Sequence, residues 1–238
     1  MASKGMNLRV PASCRPGNER KATRGFSDSV EEYVEGIYRL QTEVDLVSTG
    51  EVAEYMCVSA GSATTMIKKL DEMGLAFHEP YQGIRLSPSG ERLAKRLTRA
   101  HRVLEVYLAK TLDLPWTEVH DLACKLEHYV TDELIAHIER KMGMPERCPH
   151  GSPIDPDANE NCFRLHSALS GSHLRMVKVT DESTEFLHHL ESVGLIPGAE
   201  FDVESTSAID SLLHLKIGDN SVTVGAEVSR QVWVENAG

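Results

Sequence analysis

No stretch of this 238-residue chain is apolar for long enough to cross a bilayer, and the N-terminus has no apolar h-region of the secretory kind. Membrane and secretory roles are therefore not expected. The five cysteines are odd in number and have no disulfide-framework spacing. A reduced, cytoplasmic compartment is the simplest setting, and metal binding suits these thiols better than cross-linking. H-E-x-x-H and a nucleophile elbow are both missing. A hydrolytic reading has only Cys124-Lys125-Leu126-Glu127-His128, an H-x-x-E-H pattern with cysteine in the first histidine position. A net charge of −11 argues against indiscriminate nucleic-acid binding.

Positive charge is also missing unevenly. From Asp181 to Leu215 there is no Lys or Arg, whereas Gly61 to Lys110 holds nine basic residues against five acidic ones. That asymmetry suggests a basic working face in the first half and an acidic second half, although two solvated surfaces would show it too. A hydrophobic content of 41% over this length is ordinary for a globular chain with a real core.

The most informative stretch runs from Trp116 to Met142. In a helix, His120, Cys124, Glu127 and His128 stand at i, i+4, i+7 and i+8 and share a face. Two imidazoles, a thiol and a carboxylate are transition-metal ligands. A single buried histidine is more often a core residue, but four ligand types on one strip favour a site. Leu122, Leu126, Val130 and Leu134 can pack the same helix against neighbours.

Residues 1–26 carry Pro, Gly and scattered basic residues without hydrophobic period, so a disordered basic tail is expected. An amphipathic helix follows from a cap among Ser27–Ser29 to about Glu43. Acidic residues early in it favour the helix dipole, and Glu32 and Glu35 could also point at the metal strip. Two short capped helices come next, Ser48 to Met56 and Ser59 to Met73, joined by a tight turn and stopped by Gly74, and they read as helix-turn-helix. The second presents Ser59, Gly61, Ser62, Thr64 and Thr65, then Lys68 and Lys69. Small hydroxyl residues let a helix sink into the major groove, and hydroxyls and lysines meet bases or phosphates. Strand-like 75–77 and 84–86 flank a turn and make a wing, whose tip offers Tyr81, Gln82 and Arg85. A long helix from Ser87–Ser89 to about Thr111 carries His101 and Glu105 one turn apart.

After Met142 a Pro-rich linker holds Cys148 and His150 as a C-x-H pair, weak evidence of metal by itself. From about Asn161 the pattern becomes a small mixed module: strands near 174–179, 201–204, 212–217, 221–224 and 231–234, and a helix over 182–193. Short strands between Gly turns suggest a small barrel.

In order, EEYVEGIYRL, the winged helix-turn-helix, RAHRVLEVYL, VHDLACKLEH, CPHG and GLIPG make the chain resemble the diphtheria toxin repressor family of metal-dependent transcriptional repressors. The resemblance covers about Ser27 to Asp155 well and the C-terminal module more loosely. It implies a mainly α fold with a small β module: a winged helix-turn-helix (27–95), a helical metal-binding and dimerisation domain (96–145), a linker (146–160) and an SH3-like, FeoA-type domain (161–238). It implies a homodimer on a double-stranded DNA operator, no membrane or small organic substrate, and activation by Mn(II) or Fe(II), up to two ions per subunit. The primary site would fall on Glu32, Cys124, Glu127 and His128, and the second on His101, Glu105 and His120. In longer manganese-type members the second site is similar to Glu105 with Cys148 and His150, and Asp181 as a fourth ligand. Glu35 matches a carboxylate of short manganese-type members. Glu32 is manganese-like where the iron-type pattern has methionine, while Cys124 is iron-like where the manganese-type pattern has glutamate. The residues therefore leave the metal open. A metallohydrolase and a metal-independent DNA-binding module are the rival readings.

Overall fold

A computed structural model of the chain describes residues 25–79, 82–207 and 211–237. The expected tail over 1–26 lies almost wholly outside them. By mutual proximity the chain forms two compact units: residues up to Leu104 with Asp121–Lys141, and Glu105–His120 with Met142–Gly238.

The first unit opens with helix α1 (Asp28–Leu40), whose buried Val30, Tyr33, Val34 and Ile37 set its rotational phase. Helix α2 (Thr49–Tyr55) starts with a full capping box, Ser48 accepting from the Glu51 N–H and Glu51 accepting from the Ser48 N–H. Helix α3 (Ala60–Glu72) is capped by Ser59 and buries Ala63, Ile67 and Leu70. The chain then turns at Gly74, φ +71°. The wing follows as an antiparallel hairpin, β1 (Ala76–Glu79) and β2 (Gly83–Leu86), with Ala76 opposite Leu86. Val47, before α2, bridges to Ile84 of the wing. All these elements share one apolar core that includes Ile37, Ile67, Leu70, Ile84 and Leu97. The long helix α4 (Pro88–Leu112) starts in this unit, with Pro88 at its first position as the fixed proline φ favours.

The metal-bearing stretch is not one helix. Helix α5 ends at Leu126 (Val119–Leu126), a 3₁₀ turn takes Glu127–Tyr129, and helix α6 runs Asp132–Lys141. Val130 is extended, φ −92° and ψ 148°, because Thr131 must leave the helix to cap α6, its hydroxyl accepting from the Leu134 N–H at 3.1 Å. Leu122, Leu126 and Leu134, expected to pack, stay exposed in the single chain, together with Tyr129; Val130 is buried.

The second unit is built on a six-stranded antiparallel sheet in the order β3-β8-β4-β5-β6-β7. Its strands are β3 (Phe163–Arg164), β4 (His173–Val179), β5 (Glu200–Ser207), β6 (Leu212–Ile217), β7 (Asn220–Val224) and β8 (Val232–Asn236). Helices α7 (Thr184–Ser192) and α8 (Ala226–Gln231) complete it. Its core gathers Leu174, Met176, Leu187, Leu190, Phe201, Leu215 and Val234. The sheet bends at bulges between Met176 and Lys178 and between Val203 and Ser205. Short β3 and α8 have no clear sequence period and were not anticipated.

Candidate metal centres and nucleic-acid interface

Within the first unit, α1 lies along the 127–129 turn. Asp28, Glu31 and Glu35, at i, i+3 and i+7, form one strip of α1. The Tyr129 hydroxyl donates to Asp28 at 2.8 Å, His128 Nδ1 meets Glu31 at 2.8 Å, and Glu35 joins Glu127 and His128 with ligand atoms within 4.8 Å of one another. Glu32, the α1 ligand expected beside Glu35, stands about 100° round from Glu31. One of its oxygens is shut off from solvent. Cys124 is buried on the last turn of α5, four residues ahead of His128. His101 Nδ1 sits 2.6 Å from the Glu127 carboxylate, both buried, so His101 joins the Glu127 cluster within this unit.

These carboxylates crowd each other. Burial, then the charge of Glu127, holds the Glu35 carboxyl well above the usual range, although part of its surface remains open. Burial alone would lower His128. The Glu31 hydrogen bond and the charges of Glu127, Glu35 and Glu31 outweigh it and push the imidazole up to about 9. Protons thus occupy positions that a divalent cation could take.

A second cluster lies within the second unit. Glu105, Cys148 and His150 bring ligand atoms within 4.8 Å of one another. His120 Nδ1 is 3.4 Å from Glu105 and 3.0 Å from Glu182. His150 is held at both its ring and its backbone. Its Nε2 donates to the Trp116 carbonyl at 2.7 Å, its own carbonyl accepts from the Val179 N–H at 3.1 Å, and Gly151 follows at φ +88°. A Cβ on Gly151 would come 1.9 Å from the Val177 carbonyl oxygen, so only glycine lets the CPHG loop press this close to β4. With Nε2 committed, a neutral His150 presents the Nδ1 lone pair to Glu105, 2.9 Å away. Lone pair against carboxylate is repulsive without a proton or a cation between them. Burial lowers His150, but Glu105 by charge and hydrogen bond, then Glu182, raise it overall. Thiolate, imidazole and carboxylate donors around one point fit a divalent transition metal.

Asp181 does not reach this cluster. Its carboxylate accepts from the Ser183 N–H at 2.9 Å, ahead of α7, and the next residue, Glu182, supplies the carboxylate beside His120 and His150.

On α3, Ser59, Gly61, Ser62, Thr65, Lys68 and Lys69 are exposed and Thr64 is half-buried. The threonine hydroxyls donate back to their own helix, Thr64 to Ala60 at 2.7 Å and Thr65 to Gly61 at 2.9 Å. Their lone pairs and methyl groups are what the helix offers outward. In the wing, Arg85 lies over the Phe77 ring at 4.8 Å and Gln82 is exposed. Tyr81 falls outside the described residues.

Three family models match the chain: the iron dependent repressor N-terminal DNA binding domain over residues 25–84, the iron dependent repressor metal binding and dimerisation domain over 87–156, and the FeoA domain over 163–236. A solved manganese-dependent transcriptional repressor in complex with manganese superposes with a TM-score of 0.80 at 31% identity, covering 87% of this chain and all of that one. The chain belongs to the diphtheria toxin repressor family. Curated relatives include the iron-dependent repressor IdeR of Mycobacterium leprae, 27% identical over 87% of this chain and 97% of that protein. The diphtheria toxin repressor of Corynebacterium glutamicum is 29% identical over 79% and 94%.

Membership makes this a metal-dependent, DNA-binding transcriptional repressor and not an enzyme. The hydrolytic reading of Cys124-Lys125-Leu126-Glu127-His128 falls with it. Those residues do not share one helix either, since the helix ends before Glu127. No described helix is long and apolar enough to cross a membrane.

Two residues escaped the sequence reading. Glu31 was passed over because its neighbour Glu32 matches a family ligand, and only the phase of α1 separates them. Glu182 was passed over for the same reason beside Asp181; the local turn in which an Asp side chain accepts from the N–H two residues on was the signal available.

Proposed function

We propose that this repressor is activated by Mn(II) or Fe(II) held by Glu35, Glu127 and His128, with Glu32 of α1 and Cys124 of α5 as further ligands. Glu105, Cys148 and His150, joined by His120 and Glu182, hold a second ion. His101 meets the first centre through its contact with the Glu127 carboxylate. The protein works in the cytoplasm as a homodimer, on operators of metal-uptake genes.

One observation carries the reading: the acidic strip of α1 meets Glu127 and His128, so ligands from two elements face one point. Without a cation the carboxylates repel, and protons relieve that only in part. Glu35, Glu127 and His128 would hold a divalent ion, whose charge would neutralise the carboxylates and latch α1 to the 127–129 turn. Because α1 shares its core with α3, the latch fixes the recognition helix. In a dimer, two recognition helices must match successive major grooves, so small rigid-body shifts control operator affinity. Ser59, Gly61, Ser62, Thr64 and Thr65 then face the groove, while Lys68, Lys69, Tyr81, Gln82 and Arg85 meet phosphates or the groove edge.

The test is operator binding by the full chain in Mn(II), Fe(II), Zn(II), Co(II) or chelator. Binding that rises with Mn(II) or Fe(II) and collapses in EDTA supports the reading. Equal affinity in EDTA refutes it and leaves a metal-independent DNA-binding module.

A further inference from the structure

A histidine ligand needs its ring oriented and its proton placed. In the 127–129 turn, His128 Nδ1 is taken by Glu31 at 2.8 Å, while Nε2 points toward Glu127, 3.7 Å away. Glu31 is 3% exposed and His128 8%, so bulk solvent competes little for this bond. A carboxylate on one imidazole nitrogen fixes the tautomer, leaves the other nitrogen's lone pair for metal and raises its basicity. Glu31 is itself anchored. Arg96 of α4 reaches it at 3.3 Å and reaches Asp132 of α6 at 3.4 Å. The outer pair contributes little, because the Asp132 side chain is 74% exposed and such pairs are screened. Glu31 to His128 is the link that matters.

We propose that Glu31 is the positioning residue of the first metal centre: it binds no metal, but holds His128 with Nε2 aimed at the ion shared by Glu35 and Glu127. The assignment rests on the reading that these three residues hold an ion. It also gives α1 two roles, supplying ligand carboxylates and, from Glu31 one turn before Glu35, the orienter of the ligand opposite.

Glu31 lines a cavity of about 290 Å³ together with Gly25, Phe26, Leu93, Arg96 and Asp132. A small carboxylic anion can enter there, which allows chemical rescue. The experiment measures Mn(II) affinity by chelator competition in the full-length protein. A Cys148→Ala, His150→Ala background silences the second cluster. Glu31→Gln keeps the shape and hydrogen-bonding oxygen without the charge, and Glu31→Ala removes both. Melting temperature in EDTA checks the fold of each. The expected result is about tenfold or greater weakening in both variants, the usual effect of losing such a partner, with formate restoring part of the affinity of Glu31→Ala and leaving the parent unchanged. Affinities within about twofold of the parent would overturn the proposal. A loss in Glu31→Ala that formate leaves untouched would assign Glu31 to packing and overturn it equally. If the parent itself binds no Mn(II), or Glu127→Ala binds as well as the parent, the underlying site fails and the proposal with it.

Discussion

At residue scale the first centre is a set of carboxylates and an imidazole that cannot all carry their ordinary charge states at once. His128 is pushed up to about 9 from an ordinary 6.5, so in the metal-free protein it holds a proton at neutral pH. The folded form of such a group binds its proton more tightly than the unfolded chain does. Its contribution to stability is full below pH 6.5 and is lost as pH climbs to about 9. Glu35 acts in the same direction, since its carboxyl is also raised. The metal-free protein is therefore expected to melt at progressively lower temperature between pH 6.5 and 9, and saturating Mn(II) should remove most of that slope. Calorimetry with and without the ion checks it, and a metal-free melting temperature that rises over this range would contradict the assignment. Replacing Cys124 by Glu should move relative affinity toward Mn(II) and away from Zn(II), because an oxygen donor takes the place of a thiolate. Competition titrations read the ratio directly, and an unchanged ratio would mean that Cys124 does not touch the ion.

At the scale of elements, the local signals that decided position were caps and breakers. Ser48, Ser59, Gly74 and Pro88 place α2, α3, the wing and α4 within a residue or two of where periodicity puts them. Glu127 and His128 were harder. Their spacing from His120 fits a helix face, yet Thr131 takes the cap of α6 and forces Val130 extended, so the helix stops just before them. Residue type was legible there and conformation was not, because a cap choice four residues downstream decides it. Glu31 against Glu32 was likewise illegible, since the phase of α1 depends on which apolar residues the rest of the unit buries. The CPHG loop was readable as a ligand pair, but the need for Gly151 appears only where β4 lies against it. Gly151→Ala would place its Cβ 1.9 Å from the Val177 carbonyl oxygen, backbone that cannot step aside, so His150 must shift. The second centre should lose at least tenfold in affinity for Co(II) while the first is unaffected, about the size expected when a ligand's support is removed. On α3, Lys69→Ala should weaken operator binding uniformly across sequences. It should also reduce the slope of log K against log salt by roughly 1, as loss of one phosphate contact does. A change confined to one base position would instead make Lys69 a base-reading residue.

At the scale of the whole molecule, one feature of the single chain is unfinished. Leu122, Leu126, Tyr129 and Leu134, from α5, the 3₁₀ turn and α6, are between 37% and 60% exposed. Isolated exposed leucines need no explanation, but four large apolar residues within thirteen positions suggest a covered surface. The match of residues 87–156 to a metal binding and dimerisation domain makes a second copy of this chain the expected cover. The turn that carries Glu127 and His128 also carries Tyr129, so the metal latch and this surface are adjacent in sequence and built on the same backbone. Leu126→Glu would bury a carboxylate in a closed dimer, or leave it solvated in a monomer. Desolvating an unpaired charge costs several kcal/mol, and the roughly 2 kcal/mol that burial of the leucine contributes is lost as well, so the monomer should win. Sedimentation should show a single chain at concentrations where the parent is dimeric, with the melting profile of each subunit's core retained. Because each half-site is bound independently once the partner is gone, operator affinity should fall by about a hundredfold even with saturating Mn(II), while metal affinity at Glu35, Glu127 and His128 changes little. A Leu126→Glu protein that remains dimeric would move the interface elsewhere on the α4–α6 segment and detach the latch from it.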